Sequence, residues 1–182
     1  MRECRLLSVA SGRILTRKES EEVLQAGIYG AKNGAISPHK PHRTDVLLLP
    51  FAGTLYSPVK GILCALHTNP MGVCLRCRTG PDVAFMLLHG AGPLSPPKLP
   101  ARSVLLLSGA GARVSAGQVL ARMDLGRLRA AGLAPFVLLS LFSKEPLSFR
   151  VQGACVTGGQ SHICFATRQK GLHRVPISEK TR

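Results

Sequence analysis

His89 carries the strongest chemical signal in the sequence. It closes an apolar run, Val83 to Leu88, and is followed by a bare small-residue loop, Gly90-Ala91-Gly92. Imidazole titrates near neutrality, and at a strand end with little side-chain bulk in front it can be reached by another protein's reactive group. A half-buried structural histidine fits the same pattern, and the local residues leave both readings open. A second histidine, His67, stands just before Thr68-Asn69-Pro70. Cys74-Leu75-Arg76-Cys77 has the spacing of a metal knuckle, but no second such pair and no histidine pair completes a four-ligand zinc site. The two cysteines therefore read as part of a core strand, and neither a metal nor a cofactor is expected. His39 and His42 lie in a basic, proline-broken loop and read as solvated. Asp124 reads as a helix cap. Arg102 and Arg113 read as solvated cations that can touch phosphate.

The elements that must position these residues are short and closely punctuated. Residues 5–16 read as strand, Ser-Gly turn, strand. Ser20 to Gln25 reads as a single capped helical turn with acids at its start. Val46 to Leu49 and Thr54 to Leu66 supply apolar runs, the second broken by the turn Ser57-Pro58-Val59-Lys60-Gly61. Pro93 to Pro100 is too rich in proline for regular strand. Ser103 to Leu107 resumes the apolar pattern, and Gly109 to Leu120 reads as a hairpin bracketed by glycines. Asp124 to Gly132 is the clearest helix, with Asp124 as cap, Leu125 and Leu128 on one face and Gly132 as terminator. Ala134 to Ser140 is a further strand. Turn signals at intervals of about ten residues point to an all-β sandwich or barrel with one or two short helices. The domain expected is 1–143. Beyond it, 144–182 reads as a basic extension, loosely packed or disordered, with one strand pair around Phe149–Val151 and Ile163–Phe165.

Composition agrees. The chain has 182 residues, 45% hydrophobic and 4% aromatic, with 19 glycines, 13 prolines and no tryptophan. That mix suits a turn-rich β fold better than a helical bundle. The net charge of +15 attracts acidic partners. The cations are scattered and no aromatics are interleaved among them, so nucleic-acid binding is not expected. No apolar run reaches the length of about 18 residues that a membrane-spanning helix needs. Cys4, Cys64, Cys155 and Cys164, like the pair at 74 and 77, follow no apolar leader and read as reduced thiols of a cytoplasmic protein.

The order of these signals resembles the glucose-type enzyme IIA domain of the bacterial phosphoenolpyruvate-dependent sugar phosphotransferase system. Leu6 to Ile14 is similar to that family's opening strand and turn. Ile28-Tyr29-Gly30 with Asn33 to Pro38 is similar to its next block. Ser57-Pro58-Val59-Lys60-Gly61 resembles its Ala-Pro-Val-Asp-Gly turn. Gly111 to Leu120, followed by Asp124-Leu125, resembles its late hairpin and helix. The likeness spans residues 5–141 in order.

The resemblance implies a sandwich of duplicated hybrid-motif type and a phosphoryl relay. His89 falls at the acceptor position, taking phosphate from the histidine-containing phosphocarrier protein and passing it to the IIB domain of a sugar transporter that also carries IIC. His67, beside the Thr68-Asn69 pair, is the second site candidate; the family's own second histidine follows that pair, where this chain has Pro70. The acidic residue after the family's acceptor loop is absent from Gly90 to Leu94, and Asn33 stands where another acid is found. With a charge of +15, these departures set out the alternative: a decayed or repurposed IIA-like module that binds or regulates without catalysis.

Overall fold

The computed structural model describes residues 3–23, 42–69, 72–78, 82–90, 100–143, 147–149 and 153–167. Thirteen strands and two short helices account for the regular structure among them: β1 (Glu3–Leu7), β2 (Ala10–Ile14), α1 (Arg17–Val23), β3 (His42–Tyr56), β4 (Gly61–Asn69), β5 (Gly72–Arg78), β6 (Asp82–Gly90), β7 (Val104–Leu106), β8 (Arg113–Val114), β9 (Val119–Met123), α2 (Leu125–Ala130), β10 (Ala134–Ser143), β11 (Leu147–Phe149), β12 (Cys155–Val156) and β13 (His162–Thr167). The class is all-β, as the spacing of turn residues predicts.

Two sheets face each other. The larger runs β12-β2-β3-β10-β6-β5-β4-β8, with β9 paired to β3 and β7 paired to β9; the smaller is β1-β13-β11. Every pairing is antiparallel. The main core lies between them: Leu6, Ile163 and Phe165 from the small sheet meet Val46, Leu48, Val137, Leu139 and Leu141 from the large one. Each of these is almost wholly removed from water.

The apolar runs in β3 and β10 are continuous because both faces of these strands are covered. Alternate side chains of a strand point to opposite faces. Val46 and Leu48 enter the main core, while Leu47, with Leu138 and Leu15, forms a second cluster that Val23 of α1 helps to close. A strand buried on both faces loses the alternating pattern and reads as an unbroken apolar stretch.

α1 begins earlier than the sequence predicts. The residue that starts it is Thr16, four positions before Ser20. Glu19 N donates to Thr16 Oγ1 at 3.3 Å and Thr16 N donates to Glu19 Oε2 at 2.8 Å. This reciprocal pair is a capping box, which satisfies two donors that a helix start leaves open. Arg13 on β2 donates to the same carboxylate at 3.0 Å. The Arg13 guanidinium, then the Thr16 N–H and hydroxyl, hold the Glu19 carboxyl down at about 2.

The link between the first two strands falls at Ser8-Val9, not at Ser11-Gly12, and it passes the chain from the small sheet to the large one. Gly12 lies inside β2, where a Cβ would come within 2.9 Å of Pro50 Cα on β3, and so marks a close backbone approach. The glycine-bracketed stretch from Gly109 to Leu120 is a turn but not a hairpin. Its strands part: β8 pairs with β4, and β9 with β3 and β7. The turn between them docks elsewhere, with Gly117 N donating to Ser57 O and Ser57 N to Gln118 O, each at 2.8 Å. Two glycine-containing turns far apart in sequence therefore hold each other.

The segment that the sequence sets apart from residue 144 onward supplies three of the strands. β13 lies between β1 and β11, with Phe165 opposite Cys4 and Phe149. The pair anticipated near Phe149 and Ile163–Phe165 is this β11–β13 contact. Ile163 and Phe165 are fully buried and Leu147, Phe149 and Val156 pack against the same core, so β11, β12 and β13 belong to the fold. A short apolar alternation reads as weak on its own because its partner, β1, lies at the other end of the chain.

Candidate functional site

β6 runs between β5 and β10, and His89 is its penultimate residue, directly opposite Pro135, with Gly90 opposite Ala134. The position follows from local sequence. Gly132, at φ 74°, ends α2 and turns the chain so that Ala134 can begin β10. α2 is capped by Asp124, whose Oδ1 accepts from Arg127 N at 2.8 Å, buries Leu125 and Leu128, and is tied to the residues before β10 by Leu133 N donating to Leu128 O at 3.0 Å. The anticipated cap at Asp124 is present. The predicted strand-end position of His89 thus lies beside β10, which follows directly on a capped helix.

His67 lies on β4 opposite Cys74 of β5, and Cys74 lies opposite Met86 of β6. The row of His67 therefore crosses β6 three residues before His89. The register does not bring the two histidine positions into one row.

The other candidates are dispersed. Cys74 and Cys77 both belong to β5, three residues apart in an extended strand. A knuckle needs its two cysteines curled round one ion, which a straight strand does not provide. His42 opens β3 opposite Ser143 and is exposed; His39 lies outside the described residues. Cys155 is a free, exposed cysteine on β12 opposite Arg13, and Cys164 is a free cysteine on β13. Among the described residues no group of three or more metal-ligating side chains forms, and no helix is long and apolar enough to cross a membrane.

The electrostatics of the segment leading to β10 are one-sided. Residues 100–133 contain five arginines, at 102, 113, 122, 127 and 129, against one acid, Asp124. Asp124 is engaged by the α2 cap and by Arg127 Nε at 3.7 Å. Arg127 Nη1 also donates to Ala101 O at 2.9 Å, tying α2 to the residues before β7. Arg102 sits beside that anchor with φ at 60° and is exposed. The sequence singles out only Arg102 and Arg113; the path β7–β9–α2 carries Arg122, Arg127 and Arg129 in the same stretch as Arg102, while Arg113 lies apart on β8 beside β4. A separate polar cluster was also missed: Ser140 Oγ donates to Asp45 Oδ1 at 2.6 Å, and Arg43 Nε to the same oxygen at 2.8 Å. It spans residues 95 apart and has no sequence signature.

No family model matches the chain, and no curated protein matches it. Among solved structures it is similar to glucose permease IIA from Mycoplasma capricolum, at a TM-score of 0.58 and 15% sequence identity, over 91% of this chain and 96% of that one. At that identity the likeness is one of fold, and the fold is IIA-like.

Proposed function

We propose that this protein is a phosphoryl carrier of the enzyme IIA type, with His89 as acceptor. The observation that carries the reading is the IIA-like fold over nearly the whole of both chains, together with the placement of His89 at the end of β6. A neutral imidazole nitrogen attacks phosphorus, the new N–P bond forms as the donor's N–P bond breaks, and the donor imidazole leaves. The second ring nitrogen keeps its proton. The backbone N–H of Gly90, and that of Ala91 beyond it, are the nearest donors in sequence for the phosphoryl oxygens. The donor is the histidine-containing phosphocarrier protein, and the recipient is the IIB domain of a cytoplasm-facing sugar transporter.

Incubation with phosphoenolpyruvate, enzyme I and the phosphocarrier tests this directly. Acid-labile, alkali-stable label on the parent, lost in His89→Ala with far-UV circular dichroism unchanged, is the expected result. An unlabelled parent refutes the proposal. His67→Ala reports separately on the second histidine: retained label assigns the chemistry to His89 alone.

The second reading is a IIA-like module that binds without transferring phosphate. It is favoured by the +15 charge and by the register that separates His67 from His89. Binding of an acidic protein that is sensitive to salt and indifferent to His89→Ala distinguishes it.

A further inference from the structure

We propose that the outer edge of β7 takes up an extended acidic segment of a partner protein as an additional strand. Among the described residues β7 pairs only with β9. Asp124 N donates to Ser103 O at 2.8 Å and Leu107 N to Leu120 O at 2.9 Å, and Leu105 lies opposite Arg122 between them. Residues 103, 105 and 107 thus turn their backbone groups toward β9. In an antiparallel ladder the intervening residues turn theirs the other way. The N–H and C=O of Val104 and Leu106 therefore face away from β9, where no strand lies among the described residues, four groups in a row that a new strand can pair.

The side chains complete the surface. Val104 and Leu106 pack on the main core. Leu105 and Leu107 are 58% and 47% exposed, side by side on the outer face. Isolated exposed leucines need no explanation, but two at alternate positions of an edge strand offer an apolar strip beside outward-facing hydrogen-bonding groups. Main-chain pairing supplies affinity in such additions, and alternate side chains supply selectivity.

Charge chooses the occupant. Arg122 shares the exposed row of Leu105, Arg102 stands two residues before Val104, and the segment 100–133 carries four net positive charges, five minus one. A strand added to β7 lies two strand spacings from β9, about 9.6 Å, within the combined reach of arginine and glutamate side chains. A second copy of this chain would bring another +15 to the same edge, which opposes self-pairing. The proposal does not depend on phosphoryl transfer at His89.

The test uses the full chain and two octapeptides of equal charge, read by fluorescence anisotropy at low and physiological salt. One alternates valine and glutamate; the other has prolines at two of the valine positions and cannot pair. The alternating peptide should bind about tenfold or more tightly than the proline peptide. Leu105→Glu and Arg122→Glu, both at exposed positions, should each weaken it by about fivefold or more without changing the far-UV spectrum. Equal affinity for the two peptides would reduce the effect to non-specific charge attraction and overturn the proposal, as would full binding by both variants. Sedimentation showing a dimer that Leu105→Glu abolishes would make a second copy the occupant and overturn it too.

Discussion

Replacing Phe165 by alanine should destabilise the protein by about 4 kcal/mol. Phe165 is fully buried on β13, opposite Cys4 on one side and Phe149 on the other, and belongs to the core shared by both sheets. Its ring stands 6.2 Å from that of Phe149 at 45°. Truncating a buried phenylalanine costs about 3–5 kcal/mol, because transfer free energy is lost and a cavity remains; the lost ring pair, worth about 0.5–1.5 kcal/mol, favours the upper half of that range. Against a total stability of about 5–15 kcal/mol this is a large fraction. For a chain of this size each kcal/mol moves Tm by about 2–4 °C, so a fall of about 8–16 °C is expected. The sequence has no tryptophan, so urea unfolding is best followed by far-UV circular dichroism. Deleting residues 144–182 tests the same idea more severely, since it removes the only strand that pairs with β1 among the described residues; that variant should not unfold cooperatively. A loss below about 1 kcal/mol for Phe165→Ala, with an unchanged denaturant slope, would refute the reasoning and mark 147–167 as an appendage.

Two further effects follow from local geometry. Glu19 has a depressed folded pKa of about 2, through Arg13 first and Thr16 second. Its contribution is therefore full above the unfolded carboxyl value near 4.5 and lost as pH falls from there through about 2; Glu19→Gln should flatten the stability profile across that window in acid titrations of the urea midpoint. Gly12→Ala should cost about 2–3 kcal/mol, because the added methyl meets the β3 backbone near Leu49 and Pro50, which cannot move aside without breaking the β2–β3 ladder; a Tm within 2 °C of the parent would contradict this.

How much of the fold was legible depends on sequence separation. α2 was readable in full, because Asp124, Leu125, Leu128 and Gly132 act on one another within nine residues. The turn from Ser57 to Gly61 was readable for the same reason. β3 reads as two runs, Val46 to Leu49 and from Thr54 on, yet one strand continues through Pro50 and Gly53: β2 pairs with it on both sides of that stretch, from Leu48 to Leu55, while its other neighbour changes from β10 to β9. The helix start at Thr16 was legible, since Thr16 and Glu19 stand at the local capping-box spacing; only the added contact of Arg13 to Glu19 needs the fold, which brings β2 beside α1. The strand-end position of His89 was visible in the apolar run before it. The offset from His67 was not, since it depends on the register of three strands, and register is set by contacts that no single run of residues contains.

The pairing of β1 with β13 has a consequence for how the protein is made. Glu3 to Leu7 must wait for Ala166 to His162 before their ladder can close. Some 155 residues separate Leu7 from His162, so at translation rates of about 5–20 residues per second the first strand emerges roughly 8–30 s ahead of its mate. During that interval the nascent chain presents Leu6 and an open backbone edge to solvent, and a ribosome-associated chaperone that shields short apolar stretches would be expected to engage it.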